Sequence, residues 1–165
     1  MGKVTRTFDI LEKGIKILMA ILIGGMVALI SLQVGFRYLL NQPLTWSEEV
    51  ARHLMIWSAL LGAAVAYRRK GHLGMDVIVM LFSPQWKRIV EGIVHLLSIG
   101  FFGLILLNGI PLVQKTMSQL SSAILIPMGY IYAALPVGSA FLLLFALEKL
   151  LGFYQREETP EIQSI

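Results

Sequence analysis

Four stretches without Asp, Glu, Lys or Arg, residues 17–36, 53–67, 92–114 and 116–147, limit what this chain can fold into. A hydrocarbon layer ~30 Å thick takes roughly 20 helical residues to cross, so the first and third stretches cross it unaided. The second is too short alone and is expected to borrow its first turns from residues 46–52. The fourth has room for a re-entrant or loop portion, residues 118–127, ahead of a span. Backbone groups in lipid must be satisfied within their own segment, and no stretch alternates apolar and polar residues as a barrel strand does. The predicted fold class is therefore all-α and integral to the membrane: four transmembrane helices with short interfacial helices. The expected spans are about 15–38, 45–67, 86–114 and 126–150, in a single domain over 1–155 with a polar cytoplasmic tail, 156–165, that frays. Composition agrees, with 56% hydrophobic and 15% charged residues, outside the range of a soluble domain.

A pI near 9.5 could suggest a nucleic-acid partner, but in a membrane chain the position of the bases matters more. Four precede the first span (Lys3, Arg6, Lys13, Lys16) and two follow it (Arg37, Arg52). Five lie in the next connection (Arg68, Arg69, Lys70, Lys87, Arg88), one in the one after (Lys115) and two in the tail (Lys149, Arg156). High counts alternate with low ones, which by the positive-inside rule places both termini in the cytoplasm. The absence of cysteine excludes disulfides, thiol catalysis and thiolate metal sites. The first helix is expected to stay uncleaved, since its flank carries Asp9 and Glu12 among the bases.

Residues 1–16 read as an amphipathic lead-in, with Phe8, Ile10, Leu11 and Ile15 facing lipid headgroups and the lysines snorkelling. Ala20, Gly24 and Ala28 recur every four residues, a spacing that lets helix backbones approach closely. After the break at Asn41-Gln42-Pro43, Thr45-Trp46-Ser47-Glu48 fits a capping box opening the second helix. From Glu48 and Arg52 one face continues through Met55, Ala59, Gly62, Ala63 and Ala66, mostly small residues suited to a partner helix. Arg68, Arg69 and Lys70 then anchor the inner interface, as do Trp86, Lys87 and Arg88 before the third span. Between them, residues 77–82 are placed along that interface, and Ser83-Pro84 reads as a helix start. Pro127 and Pro136 are expected to break or kink the last segment, where Ala134 and Gly138 repeat the small-residue spacing.

The candidate sites each have a structural alternative. Glu48, Glu49 and Arg52 could touch a substrate or ion, but Glu48 has the cap and Arg52 its one-turn pairing with Glu48. Glu49 has no evident local task and is therefore the stronger candidate for an intermolecular contact. His53 and His95 could ligate a haem as in a b-type cytochrome, but they fall at different depths, and bonding between helices suits them better. His72, one turn from Asp76, supplies at most two ligands, too few for a metal. The triplet Arg68 to Lys70 could hold lipid phosphates, and topology anchoring explains it equally well. No nucleophile with a paired base, phosphate loop or HExxH pattern occurs, so neither enzyme chemistry nor a cofactor is expected.

Arg37-Tyr38 at the end of a first helix, Trp46-Ser47-Glu48-Glu49 with Arg52 opening a second, Gly62 within it, and Gly71-His72 before Asp76 form an ordered set. This set resembles the small membrane subunit of tripartite ATP-independent periplasmic (TRAP) transporters, the DctQ-like family. The resemblance implies a non-catalytic multi-pass subunit of the bacterial inner membrane. Its partners would be a large multispan subunit, which carries the substrate and sodium sites, and a soluble periplasmic protein that delivers an organic acid such as a C4-dicarboxylate, sialic acid or a sugar acid. On that reading Arg37, Tyr38, Trp46, Glu48, Glu49 and Arg52 lie on the periplasmic side as contact residues. Ala20, Gly24, Ala28, Ala59, Gly62, Ala63 and Ala66 pack either within the bundle or against the large subunit. The competing reading is a self-sufficient four-helix protein, either a homo-oligomeric transporter or a b-type cytochrome.

Overall fold

The computed structural model describes residues 2–42, 44–70 and 84–157, with side chains over 6–42, 44–69, 86 and 89–152. Its helices are α1 (Gly2–Leu39), α2 (Thr45–Lys70), α3 (Pro84–Thr116), the short α4 (Gly129–Tyr132) and α5 (Ala134–Glu157). Four segments are long and apolar enough to cross a membrane: Arg6–Leu39, Thr45–Arg69, Ile89–Thr116 and Gly129–Gly152. The last joins α4 to α5 through Ala133, whose amide bonds to the Gly129 carbonyl at 2.8 Å while Val137 bonds to Ala133 at 3.1 Å. Pro136 has no N–H to offer the Tyr132 carbonyl, which accounts for the break between α4 and α5.

α1 packs along α2, α2 along α5, and α5 along α3, whereas α1 and α3 make no extensive contact. The spans thus form a layer in the order α1, α2, α5, α3 rather than a closed bundle. Burial follows that order: none of the apolar window of α1 is buried and 6% of that of α3, against 28% for α2 and 39% for the α4–α5 span. α2 buries Ser47, Ala51, Ser58, Leu61, Ala64 and Val65, and α5 buries Ala134, Ser139, Leu142, Phe145 and Ala146. Lipid tails are as apolar as leucine, so helix contacts depend on close packing more than on apolar burial, which favours small residues on the facing sides. Gly138 is a close approach of α5 to α2, since a Cβ there would lie 2.8 Å from Leu60 Cβ. The predicted pair Ala134 and Gly138 therefore lies inside the layer.

Other predicted small faces lie outside it. Ala20, Gly24, Ala28, Ala59, Ala63 and Ala66 are exposed, whereas Gly62 is half-buried, its absent Cβ 3.1 Å from Met19 Cε. α1 meets α2 with bulkier residues, among them Met19 and Leu22, on another side. Those six thus face outward in the chain by itself.

The lead-in is also corrected. It continues α1 without a break, and Phe8, Leu11 and Ile15 pack on the core instead of facing headgroups, although Ile10 is exposed. At 38 residues, α1 is about 57 Å long, well beyond what the bilayer requires, so its first turns stand past the span and pack on the neighbouring helix ends. The proposed interfacial segment 77–82, His72, Asp76 and Ser83 lie outside the described residues.

Replacing Gly138 by Leu forces Leu60 and the α2 backbone outward, an overpacking that costs about 1–3 kcal/mol. The expected result is a lower melting temperature in detergent and less protein in the membrane. Gly24→Ala, with nothing within 4 Å of the new methyl, leaves both unchanged.

Candidate functional site

The described charged side chains gather at the two ends of the layer. At one end stands Arg68, in the last turn of α2 with only 11% of its side chain exposed. Its Nε and Nη2 donate to the two oxygens of Glu148 on α5, both at 2.8 Å, a bidentate fork. Nη2 also reaches Asp9 at 2.8 Å, and Nη1 donates to Glu12, both on α1. Glu12, itself buried, further accepts from Arg69 at 2.5 Å and from Lys16. Three cations therefore meet three carboxylates from three helices, and the guanidinium rests 5.6 Å over the Phe145 ring. Beside it Lys149 lies 5.1 Å over Tyr67, which meets Phe102 of α3 edge-on at 5.2 Å.

Arg68 was expected to anchor the interface toward lipid headgroups. It turns inward instead, because two helices offer carboxylates within its reach. Arg69 is largely exposed, as is Trp86, while the side chains of Lys70, Lys87 and Arg88 lie outside those described. Asp9, Glu12 and Glu148 are the residues that sequence reasoning missed. The Glu12 and Lys16 spacing was a visible local signal, whereas the meeting with Arg68 is purely tertiary.

At the other end, α3 returns to α4 through a hairpin over residues 117–128. Ser121 donates its amide to the Ile126 carbonyl at 2.9 Å, and Met128 to Gln119 at 2.8 Å, with Leu120 and Pro127 paired as one antiparallel bridge. Glu49 closes this hairpin from α2: its Oε2 accepts from the amides of Ala123 at 2.6 Å and Ile124 at 3.2 Å. Its other oxygen stands 3.9 Å from His53 Nε2. Glu49 thus has the local task that the sequence did not reveal. Helix α2 starts at Thr45 itself, where the Ser47 amide and hydroxyl bond to the Leu44 carbonyl at 3.2 and 2.7 Å. That arrangement replaces the predicted capping box, leaving Glu48 to pair with Arg52 at 3.3 Å, both exposed. Arg37, Tyr38 and Trp46 are exposed at this same end.

His53 lies beside the hairpin, whereas His95 precedes the end of α3 by 21 residues, about 30 Å of helix, so the two do not face each other. Among the described residues no three His, Asp or Glu side chains converge as metal ligands.

Four apolar helices in a layer, with charges confined to its ends, define a multi-pass membrane protein. The family model for tripartite ATP-independent periplasmic transporters, DctQ component, matches residues 26–156, and the chain belongs to that family. It is thus an inner-membrane transporter subunit and not an enzyme. The sialic acid TRAP transporter small permease protein SiaQ of Vibrio cholerae is 30% identical over 129 residues, 78% of this chain and 75% of that one. The C4-dicarboxylate TRAP transporter small permease protein DctQ of Pseudomonas aeruginosa is 37% identical over 82 residues, 50% of this chain but 39% of that one. The sialic acid TRAP transporter permease protein SiaT of Haemophilus influenzae is 30% identical over 113 residues, 68% of this chain and 18% of that one. The similarity thus spans three-quarters of the first relative and well under half of the other two.

Removing Arg68 strands Glu148 in a partly buried place. Arg68→Ala is expected to destabilise the chain by ~3 kcal/mol, the low end for a broken buried pair because water reaches Asp9. Arg68→Lys keeps the charge without the fork and is expected to lose less. Thermal unfolding of the purified variants in one detergent checks the order.

Proposed function

We propose that this chain is the small, non-catalytic subunit of a sodium-coupled importer of an organic acid, a C4-dicarboxylate, sialic acid or sugar acid, and that it docks on a large multispan subunit. The observation that carries the reading is the uncovered small-residue faces, Ala20, Gly24 and Ala28 on α1 and Ala59, Ala63 and Ala66 on α2. A helix facing only lipid has no use for such faces, whereas one that meets another helix does. The 18% share of the Haemophilus permease supports it: there the matching stretch lies within a much longer permease chain. The names of the relatives support the sialic acid and C4-dicarboxylate parts of that range.

The excess of bases before the first span and after α2 supports placing the Arg68 end in the cytoplasm and the Glu49 end in the periplasm. The exposed Arg37, Tyr38, Trp46, Glu48 and Arg52 then face the side from which a periplasmic binding protein delivers substrate. Glu49, occupied by the hairpin, is a poorer contact residue than the Glu48 and Arg52 pair.

The test is affinity purification of the tagged chain from its native membranes in mild detergent, with mass spectrometry of what accompanies it. A stoichiometric, larger multispan protein is expected, and Gly24→Trp or Ala59→Trp lowers its recovery and the uptake while this chain stays in the membrane. Recovery of the chain alone, or sodium-dependent uptake by the chain reconstituted alone, contradicts the reading.

Reversing the exposed pair one member at a time, Glu48→Lys or Arg52→Glu, is expected to reduce uptake at limiting binding protein. Uptake at saturating binding protein and the abundance of the chain stay the same; equal loss at both concentrations removes these residues from the delivery surface.

A further inference from the structure

The hairpin over 117–128 bares Met117, Leu120, Leu125 and Ile126, with Leu125 at φ 55°, and no charged residue occurs from 116 to 147. In water such a patch is costly. Its depth follows from Glu49. That residue is four positions into α2, about 6 Å along the axis, and the charge-free stretch begins at residue 53. The carboxylate therefore draws the amides of Ala123 and Ile124 down toward the start of the apolar span. Backbone donors so close to hydrocarbon need an internal acceptor, and Glu49, only 14% exposed, supplies one. Trp46 and Tyr130 are exposed at the same end, as side chains of an interfacial aromatic belt are.

We propose that residues 117–128 form an anchor in the lipid, with Leu120, Leu125 and Ile126 entering the boundary between headgroups and acyl chains, and with Glu49 as its positioning residue. The occupant is lipid rather than protein because of what the patch adjoins. The hairpin continues α3, whose exposed side is bulky, with Leu96, Leu97, Phe101, Leu104 and Leu107. Its exposed polar residues, Ser118, Gln119 and Ser122, are uncharged and suit the headgroup level. α3 forms the edge of the layer opposite α1, away from the small faces of α1 and α2. The inference rests on the membrane embedding of the chain and does not require the large subunit or a particular orientation.

Because the chain has no cysteine, Leu125→Cys and Glu48→Cys can each carry one environment-sensitive nitrobenzoxadiazole dye in nanodiscs. Lipids with a nitroxide high on the acyl chain, in both leaflets, quench from within the membrane, and iodide quenches from water. The expected result is quenching of the dye at 125 several-fold more by nitroxide lipid than by iodide, with the reverse at 48, with or without the large subunit. Adding Glu49→Ala shifts the dye at 125 toward iodide. Equal iodide quenching at 125 and 48 overturns the anchor, as does protection from both quenchers that appears only when the large subunit is present. Unchanged quenching in a folded Glu49→Ala chain overturns the role of Glu49, and both arms with Glu49 intact need only a label at an exposed position.

Discussion

The guanidinium of Arg68 lies at the junction of α1, α2 and α5, and taking such a cation out of water is expensive unless every donor finds an acceptor. Glu148 accepts on two atoms, Asp9 and Glu12 on the others, and the flat face of the ion rests on Phe145. The order of the layer depends on this meeting. Apolar burial discriminates weakly between arrangements when the surroundings are themselves apolar, whereas a guanidinium with three designated carboxylates accepts one arrangement. The extra turns of α1 have the same explanation, since they carry Asp9 and Glu12 beyond the span to where Arg68 can reach them.

The opposite end repeats the logic with an anion. Glu49 satisfies two amides of the hairpin that links α3 to α4, and in doing so ties the far edge of the layer to α2. Between the two polar ties α5 meets its neighbours through small residues, with Gly138 against Leu60 and Gly109 against Pro136. A chain held in this way from within can leave its remaining small faces free. Those faces are where the proposed function places the larger transporter subunit.

The spans were legible in the sequence because exclusion of charge from lipid is a local rule that leaves long uncharged stretches. The short loop before Pro127 was legible too, from the surplus length of the fourth stretch. What escaped was pairing over distance. Nothing near Arg68 in sequence distinguishes it from Arg69, yet one is buried among carboxylates and the other exposed. The local task of Glu49 lies 74 residues away at Ala123, and it accepts from backbone amides, which every residue but proline has, so no side-chain pattern marks it. Small-residue spacing identified faces suited to close approach without saying which were occupied: Ala134 and Gly138 are buried, Ala20 and Gly24 exposed. The amphipathic pattern of the lead-in was real, but its apolar side meets protein at the end of the layer rather than headgroups.

If the polar ties fix the layer from within, its arrangement belongs to this chain and not to its partner. The most direct measurement is a pulsed electron-electron distance between nitroxides at Leu32→Cys on α1 and Leu104→Cys on α3, both exposed and on the two edge helices. It is taken for the isolated chain in nanodiscs and again in the complex with the large subunit. One narrow distribution at the same distance in both is the predicted result. A broad or displaced distribution in the isolated chain that narrows only in the complex would show that the large subunit imposes the order of the helices.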